Sequence, residues 1–291
     1  MQSYARDALY LWLSELANPR TPSWCIEKIL LPMYQGQPTV PMPTGTVELL
    51  NLNYRVVQAL EPMTVTAPTS YWADFTEAST VTSVGIKWAG TAVNVTFEVS
   101  DDNATWTTIT TSETSVSAGE WTWTDMPKAN PYRYFRIIAA EVLVYSQVVL
   151  GGLYQEIPMG RLNRDTFVAQ SNKMFQSRPT TYWFQRDLPE PVINLWPAPN
   201  SAAEEHTLVA WRHRHIMDVG TQRSDVEVPQ RWQEAMVANL AAKLALETPS
   251  VDLNLIPVLK QEATVALQTA RDGDNDGSST FIQPNILGYT R

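Results

Sequence analysis

SNKMFQSRPTTYWFQRDLPEPVINLWPAP, Ser171 to Pro199, sets two extended runs around a proline-rich connection. Pro179 has no N–H to donate, so it belongs at a strand start, an edge or a bulge. Tyr182, Trp183 and Phe184 follow with strong strand preference. Leu188-Pro189-Glu190-Pro191 cannot be helical, and Val192 to Trp196 reads as the return strand. The stretch is an aromatic hairpin that ends in Trp196-Pro197-Ala198-Pro199.

On either side of this hairpin the pattern includes helices. Ala5, Leu9, Leu13 and Leu16 recur at helical spacing, with Ser3 as a cap. Trp24 to Tyr34 reads as a second short helix stopped by Pro32. Gly36 to Arg55 reads as two short strands around Pro43-Thr44-Gly45. Asp165 to Asn172 reads as a short helix or turn, and Thr207 to Ile216 as a strand. Pro229 opens a helix whose face carries Trp232, Met236, Leu240 and Leu244, with alanines that admit a close neighbour. A further helix spans about Asn254 to Arg271.

Between Glu61 and Gly152 helical periodicity disappears. Val93, Val95, Phe97 and Val99 alternate with polar residues, which marks a half-buried strand. Asp101-Asp102-Asn103 turns the chain. Val81–Trp88, Thr105–Ile109, Trp121–Thr124, Tyr132–Ala139 and Val142–Leu150 supply further strands. Short strands at this spacing predict a β-sandwich.

The 291 residues suffice for about two domains. No apolar run approaches the roughly 20 residues that cross a bilayer. The first residues lack a basic region followed by an apolar core, so no secretory signal is expected. Cys25 is the single cysteine, which excludes an intrachain disulfide and suits a reducing compartment. The net charge of −9 argues against gripping phosphates. It is compatible with an acidic channel along which DNA slides without specific binding.

Chemistry-bearing motifs are sparse. Asp272-x-Asp274-x-Asp276-Gly277 matches the first half of a calcium loop, but Gln283 stands where a bidentate Glu is needed. That segment reads as an acidic linker. His213 and His215 share a strand face with Trp211 but lack a third ligand, and Arg212 and Arg214 repel a cation. No metal and no cofactor is expected. Cys25 has no His/Asp partner pattern, and no catalytic triad, phosphate loop or redox motif occurs, so the chain is not expected to be an enzyme. Trp72, Trp88, Trp106, Trp121 and Trp123 fall in the sandwich. Core and edge packing is the ordinary reading of these tryptophans; Trp121 and Trp123, which share one strand face, are the candidate glycan contacts of the alternative reading.

Ser100-Asp101-Asp102-Asn103-Ala104-Thr105-Trp106, followed by Tyr132-Arg133-Tyr134-Phe135-Arg136-Ile137, resembles the discoidin-like (galactose-binding-like) sandwich. The hairpin resembles, through Arg178 to Trp183 and Leu195 to Pro199, the head-to-tail adaptor proteins of short-tailed bacteriophages. That resemblance implies an α+β fold: a helical adaptor domain with small β-elements over residues 1–61 and 153–279. A jelly-roll-like β-sandwich insertion over 62–152 interrupts it, and an extended tail covers 280–291. It implies a structural virion protein at the neck between head and tail, made in the host cytoplasm. It further implies a twelve-subunit ring bound to a portal protein and a tail hub or nozzle protein, which closes the capsid exit and passes DNA through its channel. In that reading Phe281, Ile282, Pro284, Asn285, Ile286, Leu287, Gly288, Tyr289 and Arg291 bind the portal. Arg178, Pro179, Tyr182, Trp183, Trp196 and Trp232 form a subunit or tail interface. The insertion meets a tail fibre or a surface glycan, and carbohydrate binding by the sandwich is the alternative function.

Overall fold

The computed structural model describes residues 2–16, 23–112, 116–127, 131–215, 228–248 and 251–274. The chain begins with α1 (Gln2–Leu16), followed by β1 (Ile26–Pro32), β2 (Thr39–Pro41), β3 (Thr46–Ala59), β4 (Met63–Ala67) and β5 (Ser70–Ser79). It continues through β6 (Ser83–Trp88), β7 (Val95–Ser100), β8 (Thr107–Ser112), β9 (Trp121–Asp125), β10 (Tyr132–Ala139) and β11 (Tyr145–Pro158). Then come β12 (Gly160–Arg161), α2 (Arg164–Val168), β13 (Gln176–Ser177), β14 (Thr181–Gln185), β15 (Val192–Trp196), β16 (Ala198–Pro199) and β17 (Thr207–Arg214). Two helices close the described chain, α3 (Gln233–Glu247) and α4 (Leu255–Gly273). Contacts divide the molecule into two compact units, Met1–Ile26 with His213–Arg291, and Glu27–Arg212.

The expected α+β body, a helical domain with small β-elements, is corrected by the strand content: 44% of the chain is strand and 25% helix. Residues 26–32 show why. Ile26, Ile29 and Leu30 have helical spacing, yet β1 is an outer strand of a six-stranded sheet, because pairing overrides local preference. The strands read as short are also long. β3 and β11 each run 14 residues and pair antiparallel with each other, from Gly151 opposite Ala59 to Pro158 opposite Asn53.

In the Glu27–Arg212 unit, the six-stranded sheet has the order β1-β17-β3-β11-β6-β9, and a five-stranded sheet has β4-β5-β10-β7-β8. The sandwich core lies between them. Val84, Ile86, Trp88 and Leu150 from one sheet bury with Tyr71, Ala73, Val95, Phe97, Val99, Phe135 and Ile137 of the other. The alternation along β7 produces this: Phe97 pairs opposite Ile137 and Val99 opposite Phe135, all inward. The intervening residues face out, where Glu98 pairs with Arg136 at 2.6 Å and Trp106 covers that guanidinium at 3.9 Å. The acidic turn is held by Asp102, which takes the N–H groups of Ala104 and Thr105. Those bonds hold its carboxyl well below the usual range.

The hairpin β14–β15 forms as read, in register from Thr181 opposite Trp196 to Gln185 opposite Val192. With β12 and β2 it makes a four-stranded sheet over a second core of Met33, Met42, Leu49, Leu52, Tyr182, Ile193 and Leu195. Arg55 on β3 is wholly buried. Its guanidinium bonds Asp125 of β9 at 2.5 Å and Glu156 of β11 at 2.6 Å, and Lys28 of β1 reaches Asp125 at 2.6 Å. Burial opposes the Arg55 charge, but the bonds from Glu156 and Asp125 outweigh it and raise its pKa. His206 caps β3 from the side: its Nδ1 accepts the Val57 N–H at 3.2 Å, and its ring meets Tyr54 edge-on.

The other unit packs α1, α3 and α4 around Trp12, Leu13, Leu16, Trp232, Ala235 and Ala270. Buried alanines (Ala235, Ala242 and Ala245 on α3, Ala263 and Ala270 on α4) let the backbones approach. Asn239 on α3 donates across to the Ala263 carbonyl at 3.3 Å. Asp274 accepts the Ser23 N–H and hydroxyl at 2.7 and 2.8 Å and pairs with Arg231.

Two expected outcomes follow from the β-rich unit. Arg55→Ala should cost about 3 kcal/mol in urea unfolding, the low end for a broken buried pair, because Asp125 and Glu156 keep contact with water. Burial depresses the His206 pKa below 6.5. The unfolded chain therefore binds the extra proton first as pH falls, so stability is full above 6.5 and declines as pH drops through 6.5 towards the folded value. Unfolding measured between about pH 7.5 and 5.5 should show that decline, and His206→Gln should flatten it.

Candidate functional site

The site is built on β9, the edge strand of the six-stranded sheet opposite β1. Residues two apart share a strand face, so Trp121 and Trp123 stand side by side, their rings 5.6 Å apart and 16° from parallel. The partner strand makes room for them. Gly85 of β6 lies opposite Trp123, and a Cβ there would stand 2.8 Å from the ring. Val57 and Val149 complete a small apolar cluster beneath the pair.

Two turns complete the walls. In the first, Gln37 N–H bonds the Tyr34 carbonyl at 3.1 Å, with Gly36 at φ +72°. Its anchors are Gly36 N–H to the Pro199 carbonyl and Gln35 N–H to Glu204, both at 2.8 Å. The turn points Tyr34 at β9, whose Trp121 N–H donates to the phenol oxygen at 3.1 Å. Burial raises the Tyr34 pKa, with Glu120 and Glu204 adding to it, so the phenol keeps a proton to donate. In the second turn, Gly119 at φ +89° lets Glu120 fold back and accept the Ser117 N–H at 2.7 Å.

Together these elements enclose a cleft of about 490 Å³, lined by Trp121, Trp123, Tyr34, Gln37, Thr39 and Glu120 among others. That volume is in the range of small-molecule sites, which pair apolar walls with a few polar groups. Trp121 is 2% exposed, and among the described residues neither its indole N–H nor that of Trp123 has an acceptor. A buried donor without a partner is uncommon. Among the described lining residues Glu120 is the one charged side chain. Lys87 sits 5.8 Å above the Trp121 ring, but it is paired with Glu204 at 3.2 Å.

The residues expected to matter are dispersed. Trp121 and Trp123, the candidate glycan contacts of the alternative reading, come together in the cleft. Tyr182 and Trp232, expected at an interface, are core residues at 2% and 1% exposure. Pro179 is also buried. Trp183 packs on Phe167, Trp196 donates to the Asn172 carbonyl at 3.1 Å, and Arg178 is exposed, 6.0 Å over the Tyr54 ring. Phe281, Ile282, Pro284, Asn285, Ile286, Leu287, Gly288, Tyr289 and Arg291 lie outside the described residues, as does Asp276. Asp272 is inside α4, where Gln268 donates to it at 2.7 Å. The sequence reading missed Tyr34, Gln37 and Glu120, which reach the cleft through tight turns marked only by Gly36 and Gly119.

No family model matches the chain, and no curated protein does. Solved structures resemble parts of it. One is CBM32-1 of a family 31 glycoside hydrolase from Clostridium perfringens, 12% identical, covering 45% of this chain and 97% of that one at a TM-score of 0.26. A putative chitobiase fragment from Bacteroides thetaiotaomicron is 20% identical, covering 39% and 92% at 0.26. A further CBM32 module of Clostridium perfringens, solved in complex with GalNAc-β-1,3-galactose, is 8% identical, covering 44% and 96% at 0.25. The head-to-tail adaptor resemblance finds no support in these comparisons. With it go the phage connector and the twelve-subunit ring, whose helical body the strand content replaces.

Gly85→Ala should push the rigid Trp123 ring out of place, costing about 1–3 kcal/mol in thermal or urea unfolding and changing the near-UV circular dichroism. An unchanged melt and spectrum would contradict the packing described.

Proposed function

We propose that the Glu27–Arg212 unit is a carbohydrate-binding module and that the Trp121–Trp123 cleft is its site. One observation carries the reading: two stacked indoles line a small-molecule-sized cleft, and among the described residues neither of their buried N–H groups has an acceptor. A saccharide has what those groups lack. Its C–H faces pack on indole rings, and its ring and hydroxyl oxygens accept N–H donors. Glu120 supplies an acceptor for sugar hydroxyls, while the Tyr34 phenol and the Gln37 amide supply donors. The proposal is one of binding alone and assigns no reaction.

The outer face of the five-stranded sheet is a weaker setting for the same chemistry. Trp72 and Trp106 meet there at 5.3 Å, but Trp106 is spent covering Arg136, whose pairing with Glu98 satisfies both charges.

Calorimetric titration with a panel of neutral mono- and oligosaccharides tests the proposal. Binding in the micromolar to millimolar range is expected for at least one sugar, and Trp123→Ala should weaken it about tenfold or more, equivalent to about 1.4 kcal/mol. Gln37→Ala, at a surface turn, should weaken it less and leave the melt unchanged. Absence of binding across the panel, or binding indifferent to Trp123, would overturn the reading.

A further inference from the structure

The helical unit carries a surface that its own packing leaves open. α3 packs against α1 and, through alanines, against α4, and side chains of α3 and α4 together line a groove. Val237 on α3, with Val258 and Val265 on α4, line it at 62%, 60% and 59% exposure. Three branched apolar side chains so exposed in one groove exceed the scattered apolar residues of an ordinary surface.

The groove consists of two adjoining hollows of about 440 and 390 Å³. Glu234 of α3 and Glu262 of α4 line both. Along α4, Glu262 stands between Val258 and Val265, a spacing of two helical turns or about 10 Å. The floor is small, with Ala238 and Ala241 on α3 and Ala266 on α4, so a backbone can approach closely. Neither carboxylate has a cationic partner among the described ion pairs.

We propose that the α3–α4 groove receives an amphipathic helix of another protein, which places a lysine or arginine between two apolar side chains. The apolar pair packs on Val258 and Val265, and the cation meets Glu234 and Glu262. A helix fits because Val258 and Val265 repeat at i and i+7 along α4, the spacing at which a helical ligand presents its anchors. The charge sign follows from the two carboxylates at its centre: an acidic or uncharged helix would strand them between apolar surfaces. This surface is independent of the aromatic cleft, and its occupant is not a sugar.

The test uses the full chain and a labelled synthetic helical peptide of leucine and lysine, leucines two turns apart with lysine between, read by fluorescence anisotropy at about 150 mM salt to suppress non-specific attraction. A second peptide replaces each lysine by glutamate. Saturable binding of the lysine peptide alone is expected, weakened at least tenfold by Glu234→Lys/Glu262→Lys and by Val258→Asp, with helical circular dichroism unchanged. The control Glu77→Lys/Glu141→Lys, which makes the same charge change on exposed residues elsewhere, should bind normally. Equal loss in that control, equal binding of both peptides, or no saturable binding would overturn the proposal. So would a wild-type mass that rises with concentration and falls back in Glu262→Lys, since the occupant would then be a second copy of this chain.

Discussion

A fully buried guanidinium holds the β-rich unit together. Arg55 lies on β3 in the middle of the six-stranded sheet, and its donors reach Asp125 on β9 and Glu156 on β11. Asp125 in turn takes Lys28 of β1, and the Tyr154 ring lies 4.2 Å from the guanidinium. Such a group is costly to bury and rewards only one arrangement of its partners. The register of β3 on β11 and the placement of β9 are therefore coupled, and β9 is the strand that carries Trp121 and Trp123. The same network that aligns the sheet sets the aromatic wall of the cleft.

The cleft depends equally on what is missing. Gly85 leaves the space that the Trp123 ring fills, and the left-handed backbone at Gly36 and Gly119 brings Tyr34, Gln37 and Glu120 around it. The hairpin contributes at one remove. β15 pairs with β2, which supplies Thr39 and Val40 to the lining. The apolar rows beneath are ordinary sandwich packing, with Phe97 and Phe135 at its centre. What distinguishes the site is that two large aromatics line the cleft while, among the described residues, their indole N–H groups have no acceptor.

Strong alternation was legible in the sequence. The period-two pattern through Val95, Phe97 and Val99 matched β7, and Tyr132 to Ala139 matched β10. The aromatic hairpin and the two alanine-rich helices formed where their residues place them. Residues 26–32 were misread because their apolar spacing serves either a helix or an outer strand, and only β17 beside them decides. The length of β3 and β11 was hidden for a related reason, since each leaves one core and enters another, breaking the alternation that marks a single buried face. Trp121 and Trp123 stood out as a same-face pair. Tyr34 and Glu120 did not, because they are brought to that pair by turn geometry and, for Tyr34, a hydrogen bond across 87 residues of chain. Tyr182 and Trp232 show the converse error: an uncommon motif in sequence was core packing in space.

A sugar bound in the cleft would lie against the Trp121 and Trp123 indoles. The most direct measurement is the indole N–H region of a nitrogen–proton correlation spectrum, with Trp121 and Trp123 assigned by substitution, recorded as saccharides are titrated into the whole chain. These two resonances should shift together and saturably while those of Trp88 and Trp232, buried in the two units, stay in place. Shifts confined to Trp72 and Trp106, or none with any sugar, would contradict binding in the cleft.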